Sequence, residues 1–301
     1  MKHFIIFLLF FLISIMWGTT WIAMKMVLVT IPPFFATGLR FLITAPISIF
    51  TALLTKTPLF FPYGQRMIQV YISIFYFSIP FTLMLYGGRY VNVPTASLIY
   101  SSMPIISLLL SYIMYDELIN VYQIFGIFLH FISLMFFLLI QWKNSYIHQE
   151  FGVFLLFLSI FFQAVMYIYL KKNFYHISVL SFNGIPSLFS GLILSIFGWL
   201  IEKPELQSFS MHSIAALLYL SIFVGFLGIL SYFFLQKKID SCYSSVVFVI
   251  FPIISLVLDK YLYQTKISNL EYLFILFLLV STIITLFTAK KNTCFIKKIP
   301  K

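Results

Sequence analysis

Ten apolar runs, joined by connectors too short to hold a domain, occupy almost the whole chain. They lie at residues 4 to 24, 32 to 54, 67 to 86, 93 to 115, 120 to 140, 151 to 170, 177 to 200, 213 to 235, 241 to 263 and 269 to 289. A helix needs about 20 apolar residues, at about 1.5 Å rise each, to cross a hydrocarbon core about 30 Å thick. Hydrocarbon offers no water to the backbone, so a spanning segment must satisfy its amides within the protein, and continuous runs of this length do so as helices. Composition agrees: 9% of residues are charged, 62% are hydrophobic and the mean hydropathy is +1.05, whereas a soluble domain carries roughly 25% charged residues. The expected fold class is an all-α integral membrane protein with ten transmembrane helices. The abundance of Phe (38) and Tyr (19) is read as the mark of a genome rich in A and T codons rather than as a signal of function.

The chain also repeats itself. PIISLLL at 104 to 110 returns as PIISLVL at 252 to 258, 148 residues later, and FIIFLLFFLI at 4 to 13 returns as FGVFLLFLSI at 151 to 160. Apolar runs match one another easily, so the weight rests on paired prolines, serines and lysines, among them Lys25 over Lys172. The expected organisation is a first repeat over 1–145 (helices 1 to 5), a second over 146–290 (helices 6 to 10), and a basic tail over 291–301. A repeat of this length in an apolar chain implies the paired halves of a membrane transporter rather than a solenoid.

Orientation follows from Lys and Arg, which are retained on the cytoplasmic side. With the N-terminus inside, inner segments carry twelve of these cations and outer segments six, which places both termini in the cytoplasm. Five spans per half then force the halves to insert with opposite orientation, as inverted repeats. The net charge of +11 is therefore topological, and no basic stripe for nucleic acid is present. The tail lies against anionic lipid or is solvated. No cleavage site of small residues follows the first run, so it is expected to remain as a span. Cys242 and Cys294 fall on or near the cytoplasmic side, where a disulfide is not expected, and no metal-ligand spacing or cofactor motif is visible.

Several residues within the spans carry chemistry. Pro104 and Pro252 occupy equivalent mid-span positions, which suggests a shared bend either beside a substrate site or as a packing kink. Pro46, Pro80 and Pro186 have no such partner and read as structural kinks. Trp17, Thr19, Thr20, Ser97, Ser101, Ser102, Ser107, Ser244, Ser245 and Ser255 form a polar inward set, although small hydroxyl residues also serve helix contacts. Gln163 is more telling, because an amide is costly in lipid and must face the bundle interior or a wet cavity. Tyr86, Tyr100, Tyr167 and Tyr232 present rings to the same space or belong to an interfacial belt. Arg40, eight residues into the second run, is either a gating cation of the outer vestibule or a carbonyl-bonded anchor.

WGTTWIAMK at 17 to 25, GLRF at 38 to 41, YGGRYVNVPTASLIYSSMPII at 86 to 106, and the acidic pair Asp116 and Glu117 followed by QIFG at 123 to 126 resemble the EamA-type transporters of the drug/metabolite transporter superfamily. The resemblance covers the whole chain. It implies ten helices in two inverted five-helix repeats and a central cavity lined by the first, third, fourth, sixth, eighth and ninth helices. It implies export of amino acids, metabolites or drugs, or import of metabolites. Trp17, Thr20, Tyr86, Tyr100, Ser101, Gln163, Tyr167, Tyr232 and Phe248 are the expected substrate-binding residues, with Pro104, Pro252 and Arg40 as gating or helix-break positions. At Thr265 the chain departs from the pattern, which places there a Glu matching Glu117.

The expected function is a secondary transporter of the bacterial inner membrane, moving an amino acid or related metabolite by alternating access, with export favoured. It is expected to work without cofactor as a monomer or homodimer, with the bilayer and a small molecule as partners. A multidrug-type efflux carrier is the alternative. A polytopic enzyme or a channel fits less well: His3, His130, His148, His176 and His212 read as isolated, with no HExxH or GxSxG motif. Every carboxylate reads as near a span end, which favours an uncoupled facilitator or exchanger over a proton-driven pump, Asp259 being the plausible exception.

Overall fold

Apolar continuity is realised as helix throughout the computed structural model, which describes residues 2–143, 148–174, 176–239, 241–265 and 267–288. The basic tail 291–301 with Cys294, together with Asp240 and Lys266, lies outside the described residues. Among the described residues, nine helices are long and apolar enough to cross a membrane. They are span 1 (Ile5–Val27), span 2 (Pro33–Leu54), span 3 (Arg66–Tyr90), span 4 (Val93–Tyr115) and span 5 (Val121–Trp142). Span 6 (Gln149–Asn173), span 7 (Val179–Glu202), span 8 (Met211–Lys238) and span 10 (Asn269–Phe287) follow. Span 9 is shorter, Val247–Tyr263, and stands behind a single helical turn at Ser241–Ser244. The chain is thus the all-α membrane protein of ten spans that its sequence predicts.

Span starts are set by local chemistry. Asn92 accepts the Thr95 amide at 2.8 Å to open span 4, and Ser178, Ser210 and Ser268 cap spans 7, 8 and 10 in the same way. Each occupies an N-cap, where a side-chain oxygen satisfies an orphan amide. At span 10 the cap is reciprocal, because Glu271 reaches back to the Ser268 amide at 2.6 Å.

The paired prolines do not bend their spans at equivalent points. Span 4 breaks at Ser102, two residues before Pro104, which then sits in the first turn of a new helix, Met103–Tyr115, where its missing amide costs nothing. Pro252 lies inside the helix of span 9, and the interruption there falls earlier, at Ser245 and Val246. Spans 3 and 8 share a feature that the sequence reading lacked. Each contains a π-helical stretch, Ile72–Ser78 and Leu220–Gly228, and the two begin 148 residues apart, the period of the repeat. In span 3 the stretch stands just before Pro80, whose ring in a regular α-helix would clash with the carbonyl four residues back. In span 8 the stretch contains Gly225 and Gly228 instead.

The helices assort into two compact units, neither of which is a sequence half. The first comprises Met1–Thr19, Tyr90–Val153 and Ser231–Lys301, and the second Thr20–Arg89 and Phe154–Leu230. In the second unit, spans 2 and 7 pack along their length. A Cβ at Gly38 would lie 2.5 Å from the Ser195 backbone nitrogen, and one at Gly198 would lie 2.6 Å from that of Phe35, so the two backbones nearly touch. Phe41, Phe61, Ile72, Phe77, Leu170, Phe182 and Leu194 form its buried apolar core. In the first unit, spans 5 and 10 form the corresponding pair, and span 9 packs on the first segment of span 4.

Candidate functional site

Within the first unit, span 1 and span 9 cross at Gly18, where a Cβ would stand 2.7 Å from Ile254 Cγ2 and 3.1 Å from the Phe251 carbonyl oxygen. That close approach brings the next side chain, Trp17, into an aromatic cluster. Its ring centroid lies 4.8 Å from Tyr232 and 5.4 Å from Phe248, Tyr232 and Phe248 are 6.1 Å apart, and Phe251 extends the row 5.9 Å beyond Phe248. Trp17 is twelve residues from the start of span 1 and ten from its end, roughly 15 to 18 Å from either at 1.5 Å per residue. Three expected site residues from spans 1, 8 and 9 therefore meet beside the middle of span 1. Tyr100 and Ser101 are buried on the first segment of span 4, which packs against span 9, and the Ser101 hydroxyl donates to the Leu98 carbonyl at 2.6 Å. Rings with one indole N–H and one phenol suit an apolar, planar or cationic group, which ring faces bind by contact and by their quadrupole.

The remaining expected residues belong to the second unit. Thr20 and Gln163 are buried, and Tyr167 is half-buried with the Lys171 ammonium 5.7 Å from its ring centre. Arg40, only 3% exposed, lays its guanidinium 4.9 Å from the ring centre of Phe81. This is the geometry of a packed anchor on an aromatic face rather than of a cation at an open mouth. Tyr86 donates its hydroxyl to Glu202 Oε1 at 2.9 Å, and its ring meets Phe34 edge-on at 5.3 Å.

Glu202 is a residue the sequence reading missed. Span 2 begins at Pro33, and Pro32 at its N-cap has no side-chain acceptor, so the amides of Phe34 and Phe35 need acceptors. They donate to the two carboxylate oxygens of Glu202 at 3.1 and 2.9 Å, a favourable place for negative charge at a helix N-terminus. A paired proline opening an apolar run was the available signal that an acceptor must come from elsewhere.

His130 is not isolated. It is fully buried in span 5, with Nε2 2.8 Å from the Ser102 hydroxyl at the break of span 4, and Nδ1 3.1 Å from Thr282 Oγ1 of span 10. A polar chain ties three span ends of the same unit. Asn92 donates to Gln141 Oε1 at 3.0 Å, and Gln141 donates to Glu271 Oε1 at 2.5 Å. Glu271 is 2% exposed and Asp259 is equally buried, so these two carboxylates, although near span ends, are inside the protein. Among the described residues no group of three or more His, Cys, Asp or Glu converges as a metal site.

Comparison with known proteins identifies the family. The EamA-like transporter family matches twice, over residues 4–139 and 150–287. An uncharacterized transporter of Buchnera aphidicola subsp. Schizaphis graminum is 49% identical over 276 residues, covering 92% of each chain. Protein PagO of Salmonella typhimurium is 43% identical over 286 residues, covering 95% of this chain and 94% of its own. A crystal structure with a TM-score of 0.70 covers 95% of this chain and 98% of its own at 15% identity, a likeness of fold alone. With ten helices in two inverted five-helix repeats and the family matched across both halves, the chain is a multi-pass membrane protein that belongs to the EamA-like transporter family.

Proposed function

We propose that the protein moves a small metabolite, an amino acid or related compound, across the bacterial inner membrane by alternating access, with export favoured and both termini cytoplasmic. The reading is carried by the ring cluster of Trp17, Tyr232 and Phe248, which gives an apolar side chain or an ammonium group a place to rest near mid-span. Thr20, Tyr100, Ser101, Gln163 and Tyr167 complete the binding set in this reading. Tyr86 joins it only when its bond to Glu202 opens. Pro104 is assigned to the helix break of span 4, while Pro252 rides inside span 9 and Arg40 is packed on Phe81, so neither is assigned a break or a gate. Two compact units, each built from both sequence halves, suit a rocking carrier.

Export and uptake of amino acids and small metabolites, compared in cells with and without the overproduced protein, test this function. For the compound found, Trp17→Ala is expected to raise KM about tenfold at equal membrane abundance, the equivalent of about 1.4 kcal/mol of lost ring contact. An unchanged KM removes the cluster from the site, and flux that never saturates replaces the carrier by a channel. Ring faces also suit flat hydrophobic cations, so drug efflux is the second reading, and a screen that finds dyes but no metabolite selects it.

A further inference from the structure

The π turns of spans 3 and 8 are each held by a hydroxyl from the neighbouring helix pair. In span 8 the Ser221 carbonyl accepts from Thr44 Oγ1 of span 2 at 2.9 Å. In span 3 the Ser73 carbonyl, 148 residues earlier in the chain, accepts from Ser190 Oγ of span 7 at 2.7 Å. The donors are not at the same spacing: Thr44 and Ser190 lie 146 residues apart, six residues after Gly38 and Gly184 respectively. One contact is therefore made twice, crosswise, from span 2 to span 8 and from span 7 to span 3.

Each hydroxyl has a second acceptor at the same distance. Thr44 Oγ1 lies 2.9 Å from the Arg40 carbonyl, and Ser190 Oγ lies 2.7 Å from the Pro186 carbonyl, both one turn back in its own helix. A hydroxyl carries one proton and donates it to one acceptor at a time. In hydrocarbon, a turn that changes between i+5 and i+4 pairing needs a donor for its carbonyl in one state and must strand no donor in the other. A hydroxyl with two equidistant acceptors meets both conditions.

We propose that Thr44 and Ser190 are paired positioning residues of the transport cycle. Their hydroxyls hold the π turns of spans 3 and 8 in one conformation and return to their own helices in the other, so that the two turns act as matched hinges. The proposal rests on the alternating-access reading above. The hinges are unequal, because the Ser73 carbonyl also accepts from Ser78 Oγ at 2.7 Å, whereas the counterpart of Ser78 is Phe226, which has no hydroxyl. Losing Thr44 should therefore matter more than losing Ser190.

Spin-label distances in the full chain in nanodiscs, with Cys242→Ser and Cys294→Ser, test it. Val70→Cys with Leu53→Cys reports on span 3, and Leu218→Cys with Leu200→Cys on span 8, all four positions being exposed. Each pair is expected to give two distance populations. Thr44→Val should shift their ratio about fivefold at span 8 and Ser190→Ala about twofold at span 3, each leaving the other pair unmoved, while Thr44→Ser and Ser190→Thr restore the wild-type ratio. A purely structural role would lower thermal stability and leave the ratios alone. A single population in the wild type, or ratios unmoved in folded variants, overturns the hinges. Should Thr44→Val fail to fold, Thr44→Ala and the wild-type distributions carry the same test. Saturable flux with unmoved ratios rejects the hinges and keeps alternating access; shifting ratios in a chain that transports nothing reject the transport reading and keep the hinges.

Discussion

The principal helix pairs of the two units are held together with different emphasis. Spans 2 and 7 meet through glycine, with backbones so close that a single Cβ at Gly38 would collide with the Ser195 backbone. Spans 5 and 10 are joined by polar side chains at three levels. At one end Asn120 donates to the Thr288 carbonyl and Gln123 to the Thr285 carbonyl at 3.5 Å. In the middle stands His130, and at the other end Gln141 meets Glu271. Lipid tails are as apolar as Leu, so burial in a bilayer gives helices little reason to associate, and close van der Waals contact or hydrogen bonding must supply it. Each unit uses both in different proportion: spans 2 and 7 add hydrogen bonds from Asn183 to Ser48 and from the Phe34 and Phe35 amides to Glu202, and spans 5 and 10 add a close approach at Gly126. Contact packing tolerates no added volume, whereas a distributed polar seam loses only one link at a time.

The largest break is therefore expected at the glycine seam. Gly38→Leu should destabilise the second unit by about 3 kcal/mol, because the obstacle is backbone that cannot rotate away. Thermal unfolding in nanodiscs measures this, and a midpoint equal to wild type would mean that the seam is held by something other than backbone contact. The next effect belongs to Glu271. Glu271→Ala leaves the Gln141 amide and the Ser268 amide and hydroxyl without their charged acceptor, at a cost of about 2 kcal/mol. Hydrogen exchange at the start of span 10 should rise with it, and unchanged protection there would show that the chain of bonds is redundant. The smallest is His130→Leu, about 1 kcal/mol, since interhelical hydrogen bonds in membranes are individually weak. The Ser281 and Thr282 hydroxyls already lie 2.7 and 2.9 Å from the Leu278 carbonyl and keep an acceptor. A loss larger than that of Glu271→Ala would reverse the ranking and make the middle of the seam its anchor.

Much of the fold was legible in the sequence because membrane spans are written locally. An apolar run of sufficient length must be a helix wherever it lies, and caps such as Asn92 and Ser268 act on amides three residues away. Part of the candidate cluster was also legible, Trp17 and Tyr232 as polar rings within spans and Phe248 through the family resemblance, and the three rings converge. Tyr86 was singled out by the same reasoning and is found bonded to Glu202, 116 residues away, a partner that no spacing rule reaches. The π turns were not legible: SIF stands in both, at 73 to 75 and 221 to 223, but the same three residues at 48 to 50 and 195 to 197 lie in ordinary α-helix, so an i+5 turn has no local signal of its own.

The sequence by itself determined the class, the ten spans, the repeat and the family resemblance, because hydrophobic length and internal homology need no knowledge of neighbours. Only the tertiary structure decided which spans share a unit, since the units draw from both halves of the chain. It also decided how equivalent residues differ. Pro104 opens a new helix while Pro252 rides inside one, and Arg40 lies over Phe81. In a medium that supplies no hydrogen bonds, the role of a buried polar group or a proline is set by whichever helix comes within about 3 Å of it, and that is a property of packing.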